Sequence, residues 1–385
     1  MTKQHIPKIR FQGFDGDWKI DILENLSSFA KGNGYTKNDL TDNGQEIILY
    51  GQLYTDYKTQ ISYSNYFVSK INKNTILSVG GEVVVPASGE SADDISRASV
   101  ISNPNIIIGG DLNIIYPNNK ILASVFLVLT ISNGSQQKEL KRRAQGKSVV
   151  HLRNSDLKQV KIPLPSLPEQ ESIGQLFRTL DDLISAYKKN LEHYQSLKTS
   201  ILSKMFPKEG QKQPEIRLDG FEGDWEEKKF SDILKVNSGR DYKHLELGDI
   251  PVYGTGGYML SVNKSLSDSD AIGIGRKGTI DKPFILKSPF WTVDTLFYVT
   301  SDYVKLNFLY SVFQSINWKK FDESTGVPSL SKKTIEKIYK LFPSIPEQEA
   351  IGAFFANLDE TISSYQDKIG QLELLKKNLL SQMFI

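Results

Sequence analysis

The stretch "GIGRKG" sets Arg276 and Lys277 in a glycine-rich turn, the kind of backbone that can wrap a phosphate. Its spacing fits neither a P-loop nor a dinucleotide fingerprint. The following "TIDKPFIL" carries a proline where a helix would have to begin. What remains is a β-turn with two exposed cations. It is either a plain surface turn or a contact to the backbone or bases of a nucleic acid.

Other chemistry is scarce. With no cysteine there is no disulfide framework, thiolate metal site or cysteine nucleophile. His5, His151, His193 and His244 lack metal-ligand spacing. No two prolines adjoin, so an Asn-Pro-Pro-Tyr methyltransferase site is excluded. Walker, Gly-x-Ser-x-Gly and Asp…Glu-x-Lys patterns are missing too. The residues read as a recognition scaffold rather than a catalyst.

The elements that must hold such a scaffold are written twice. Pro7–Trp18 matches Pro214–Trp225 at 8 of 12 positions, and Pro168–Phe206 matches Pro346–Phe384 at 18 of 39. Each half reads as a short "GFDGDW"-like motif, a long dissimilar insert, a Pro-Glu-Gln motif and a helical arm. The opening motif, glycines and aspartates around two large aromatics, reads as a clip that packs Phe and Trp against its domain.

No proline or glycine interrupts Gln175–Phe206. Ile173, Phe177, Leu180, Ile184, Tyr187, Leu191, Tyr194, Ile201 and Met205 alternate in steps of four and three, the seam of a coiled coil. Ile351, Phe355, Leu358, Ile362, Tyr365, Ile369, Leu372, Leu379 and Met383 repeat it. Pro168 and Pro346 stand at the helix starts, with Glu-Gln in the first turn where the helix dipole favours acid. Lys198 and Lys376 break both seams at one register. Either they snorkel while Leu197 and Leu375 fill the interface, or they specify register or partner.

The inserts, 19–155 and 226–335, share a plan more than an identity. "TILSVGGEVVVPASGE" and "NIIIGGDLNIIYP" predict strands in the first, "DAIGIGRKGTIDKPFIL" and "FWTVDTLFYVT" in the second. Each closes with a helical apolar stretch ("KILASVFLVLTI", "KLNFLYSVFQSI") and a basic segment, Lys138–Lys147 or Lys319–Lys333. The second segment contributes Lys319, Lys320, Lys332 and Lys333. Bulk properties agree with a globular chain of two domains: 385 residues, 39% hydrophobic and 24% charged, with no bilayer-length apolar run. The opening residues lack the apolar core of a secretory signal, so a cytoplasmic location is expected. Lys and Arg total 47 against 45 Asp and Glu, a balance mildly against nucleic-acid binding unless the cations cluster.

"PLPSLPEQ" and "FPSIPEQEAIG" introducing repeated helices between variable inserts resemble the DNA-specificity subunit of type I restriction–modification systems. "GRKGTIDKPF…FWTVDTLFY" and "IGGDLNIIYP" are similar to core sequences of its recognition domains. The resemblance implies an α+β fold. Two mixed α/β target-recognition domains are separated by two long conserved helices forming an antiparallel coiled coil, in a pseudo-twofold tandem duplication. Expected boundaries are 1–160 and 214–340 for the recognition domains, and 161–213 and 341–385 for the arms.

The resemblance also implies that each domain reads half of a split, asymmetric duplex-DNA target while the arms set the gap. Two methyltransferase subunits would dock on the arms, bringing S-adenosylmethionine. ATP and Mg²⁺ would belong to two motor-nuclease subunits where these are present. This chain itself is expected to be non-catalytic, free of cofactors and metals, and away from membranes. Candidate DNA contacts are hydrogen-bonding residues of the Gly-rich or basic loops. In the first domain they are Ser88, Glu90, Arg97, Asn113, Arg142, Arg143 and Lys147. In the second they are Thr255, Tyr258, Arg276, Lys277, Thr279, Ser329, Lys332 and Lys333. The rival reading is a coiled-coil scaffold presenting two domains to proteins or glycans. Salt-dependent duplex binding separates the two.

Overall fold

The computed structural model describes residues 6–146 and 149–384. The chain divides into two compact units: residues up to Ala186 together with those from Ile369 onward, and Tyr187–Lys368. The arm helices, Leu167–Met205 and Ile345–Met383, each begin in one unit and end in the other.

In the first unit an antiparallel sheet runs in the order Ser27–Lys31, Leu112–Pro117, Val83–Pro86, Ser99–Ile101. Gln60–Ile61 adds a parallel edge strand. Val83–Pro86 is buried throughout, as its unbroken apolar run requires of a strand covered on both faces. Helix Ser124–Ile131 supplies part of that cover. The second unit repeats the order with Lys235–Ser238, Leu296–Thr300, Ala271–Gly275 and Phe284–Leu286, all antiparallel, and helix Leu306–Ser315 follows. The expected strands and helices of both inserts are there. Their common topology is closer than the sequences suggested. What differs is appended: a four-stranded sheet around Gln45–Ile48 in the first unit, and a three-stranded sheet around Leu247–Gly254 in the second.

The clip has more chemistry than its aromatics. Trp18 is buried, edge-on to Phe126, which packs with Phe384; Phe384 in turn packs with Phe177. In the second unit Trp225, Phe308, Phe206 and Phe355 form the same cluster. Beside it the Arg10 guanidinium grips the fully buried Glu169 carboxylate through two bonds, Nε at 2.6 Å and Nη2 at 2.8 Å. Its remaining N–H groups donate to the carbonyls of Asp15 and Gly16. Arg217 does the same to Glu347, at 2.8 Å twice, and to the carbonyls of Glu222 and Gly223. These hydrogen bonds to carboxylate push both guanidinium pKa values above the ordinary arginine value. The glutamine that follows works too. Gln170 accepts from Ala123 N at 2.9 Å and Gln348 from Lys305 N at 3.4 Å, so each caps the start of its unit's apolar helix. The Glu-Gln pair therefore ties clip, arm and domain together, a larger role than favouring the helix dipole.

Every seam residue is buried or half-buried. In the first unit Phe177 meets Phe384 and Asp181 bonds Lys376, so the two helix segments run antiparallel. In the second, Tyr187 and Tyr194 meet Tyr365, and Lys198 bonds Asp359. The lysines thus end on carboxylates of the opposite helix. Leu197 and Leu375, expected to fill the interface, are exposed. No described helix is long and apolar enough to cross a membrane.

Candidate nucleic-acid interface

The two units place one backbone device at the same point of the shared sheet. After Val83–Pro86 the chain continues through Ala87 to Ser88–Gly89, which pairs antiparallel with Val150–His151. Ala87 donates its N–H to Asp111 at 2.8 Å and accepts from Leu152 N at 3.0 Å. After Ala271–Gly275, Arg276 donates its N–H to Thr295 at 2.8 Å and accepts from Leu330 N at 2.9 Å. Lys277 bridges to Ser329, and Gly278 N donates to Pro328 at 2.8 Å. Position by position, Ala87-Ser88-Gly89-Glu90 corresponds to Arg276-Lys277-Gly278-Thr279, and Val150-His151-Leu152 to Pro328-Ser329-Leu330.

The glycines of "GIGRKG" serve this turn. A Cβ on Gly275 would lie 2.0 Å from the Thr279 carbonyl oxygen, and Gly278 has φ +91°. Asp322 anchors the opposing loop by accepting from Ser329 N at 2.9 Å and Ser324 N at 3.0 Å. Those bonds hold its carboxyl below the ordinary aspartate range. Glu323 is lowered likewise, first by Thr334 and then by Ser331.

The candidates divide accordingly. In the second unit Arg276, Lys277, Thr279 and Ser329 share the turn, and Thr255 reaches it, since a Cβ on Gly278 would stand 3.7 Å from Thr255 Oγ1. Tyr258 lies on the neighbouring hairpin, exposed and edge-on to Tyr253. Arg276 is exposed with its guanidinium 6.0 Å from the centre of the Phe297 ring. Lys332 pairs with Glu336 at 3.5 Å, and Lys333 is exposed beside it.

In the first unit Ser88 and Glu90 lie on the matching turn, but Ser88 is buried. Asn113 is buried as well and donates to the Leu152 carbonyl at 2.8 Å. Neither side chain offers a surface to a duplex. Polar type suggested a reader, whereas strand pairing had already enclosed both. Arg97 lies over the Tyr57 ring at 5.5 Å, and Arg143 is held by Glu139 at 2.6 Å. Arg142 is exposed at the end of helix Gly134–Arg143. Lys147 is outside the described residues.

Much of the basic charge is neutralised locally, Lys141 by Asp93 and Lys319 by Asp281. Sequence reasoning missed Arg10, Arg217 and the Asp181 and Asp359 partners. Their signal was present, because each recurs at the offset of its repeat. It also passed over His151, weighed only as a metal ligand. Among the described residues no group of three or more His, Asp or Glu side chains is arranged to hold a metal.

The two units thus repeat one sheet order, one clip and one arm, while differing in their appended sheets and in the residues of the matched turn. The profile of the type I restriction modification DNA specificity domain matches residues 16–196 and again 222–374. The chain belongs to that family. It is a type I specificity subunit with two target-recognition domains. The type I restriction enzyme MjaVIII specificity subunit of Methanocaldococcus jannaschii is 22% identical over 408 residues, covering 95% of this chain and 91% of its own. The putative MjaX specificity subunit from that organism is 23% identical over 396 residues, covering 95% and 92%. The crystal structure of a type I restriction–modification S subunit from M. genitalium matches with a TM-score of 0.72 at 19% identity, covering 99% of both chains. That last likeness is one of fold.

Proposed function

We propose that each recognition domain of this specificity subunit reads one half of a bipartite, asymmetric duplex-DNA target. The helical arms set the spacing between halves and dock two methyltransferase subunits. One observation carries the reading. The same main-chain pairing is presented by both domains with different residues, Ala-Ser-Gly-Glu in one and Arg-Lys-Gly-Thr in the other. Two copies of one frame bearing different readers select two different half-sites, so the target is not a palindrome.

The chain contributes contacts and geometry, not bond-making. S-adenosylmethionine belongs to the methyltransferase partners, and ATP and Mg²⁺ to two motor-nuclease subunits where these take part. The near-neutral charge of this chain fits a division in which partners supply phosphate affinity and this subunit supplies base contacts. The test is reconstitution. The purified chain with S-adenosylmethionine should methylate no duplex, while the complex with its methyltransferase should modify adenines in one bipartite motif. Methylation by the chain alone would contradict the division of labour.

A further inference from the structure

Directly opposed residues on an antiparallel ladder share a face. The short ladders therefore put Ser88 and His151 side by side in the first domain, and Lys277 and Ser329 side by side in the second. Each pair has one short and one long side chain, and the long one comes from opposite strands in the two domains. Ser88 is buried while His151 is exposed; Lys277 is exposed. Lys277 forms no ion pair among the described residues. The adjacent position points the other way, as alternation requires. There Ala87 is buried in the first domain, and Arg276 lies over Phe297 in the second.

The positions beneath correspond as well. Asn113 and Phe297 hold equivalent places on their strands, opposite Val85 and Ile274. Asn113 steadies the ladder through the Leu152 carbonyl, and Phe297 does so through the Arg276 side chain. Each domain thus has a supported face and a projecting face; on the projecting one His151 stands between Ser88 and the exposed Gln145 in the first domain, and Lys277 stands beside Ser329 in the second.

We propose that His151 is a base-reading residue of the first half-site and that Lys277 is its counterpart for the second. This rests on the half-site reading above. The chemistry of the two residues separates what they select. Lysine only donates, so Lys277 suits an acceptor edge, guanine O6 and N7 first. A neutral imidazole has one donor and one acceptor nitrogen, so His151 can also take a base amino group, which lysine cannot.

The experiment uses the complete chain assembled with its methyltransferase and a randomised duplex library, reading the methylated motif by sequencing. His151→Ala should relax one position of the first half-site by about 10- to 100-fold in discrimination and leave the second unchanged. Lys277→Ala should do the converse. Both side chains are exposed, so folding is not at issue. Unchanged motifs, or a uniform loss over all sequences with a shallower salt dependence, would overturn the assignment, the latter because it marks a phosphate contact. If the unmodified complex itself shows no bipartite motif, the half-site reading fails instead.

Discussion

The Arg10–Glu169 and Arg217–Glu347 clamps repeat residue for residue, whereas the ladders at Ala87–Glu90 and Arg276–Thr279 repeat only their backbone. The clamp is a bidentate ion pair closed over a buried carboxylate, and no other pairing satisfies that carboxylate equally well. The ladder is held by main-chain bonds, which are indifferent to the side chains they carry. One molecule thus keeps its frame by fixing side-chain identity, and varies the surface proposed here to read DNA where identity is free. That contrast can be broken deliberately.

The largest effect is expected from halving the chain. Residues 1–210 retain one reader and one arm but lose the segment that brings Phe384 and Lys376 to the first unit. A second copy can replace it, since Phe206 and Lys198 are their repeats, and Asp181 of each copy would face Lys198 of the other. The fragment should be a symmetric dimer that directs a palindromic motif with its methyltransferase. Molar mass in solution and the methylated motif check this. A soluble monomer would show that the arms are not interchangeable.

Next comes the clamp. Glu169→Ala leaves the Arg10 charge at a mostly buried site, with its side chain 14% exposed. It should cost about 3 kcal/mol, seen as lost hydrogen-exchange protection in the first unit while the second keeps its own. Glu347→Ala should mirror it, and equal losses everywhere would contradict a local lock. Lys277→Ala, by contrast, should stay within about 0.5 kcal/mol in stability.

A smaller effect is expected at the seam lysines. Lys198 and Asp359 should show a coupling of about 1 kcal/mol in a double-mutant cycle, and Lys376 with Asp181 the same. Zero coupling would return them to mere snorkelling. Arg276→Ala should lower affinity evenly across sequences and flatten the salt dependence by about one phosphate contact. Relaxation at a single base would make it a reader after all.

The smallest is a pH effect. Asp322 has a folded pKa below its unfolded one, so its contribution to loop order is fully present above the unfolded value. It is lost as pH falls through the folded value. Exchange protection at Ser324 and Ser329 should therefore hold through neutral pH and drop only below about pH 4. Constant protection to lower pH would remove Asp322 as the anchor.

The arms were legible because period and repetition coincide: Phe177 and Phe355, or Tyr187 and Tyr365, are seen twice in one register. The lysine breaks at 198 and 376 stood out against the apolar seam, while Asp181 and Asp359, on flanking positions, carried only the weaker signal of recurring at the repeat offset. Ser88 and Asn113 misled because polarity near glycine reads as exposure, while backbone pairing, which leaves no mark on side-chain type, buried them. The equivalence of Ala87–Glu90 with Arg276–Thr279 was unreadable for the same reason. The bonds that define it belong to N–H and C=O groups common to every residue.

Whether one frame holds two different readers is decided by mapping adenine methylation on DNA modified by the reconstituted complex. A single motif of two unlike half-sequences separated by a fixed run of unspecified bases is expected. A contiguous motif, or two identical inverted halves from the full-length chain, would contradict it.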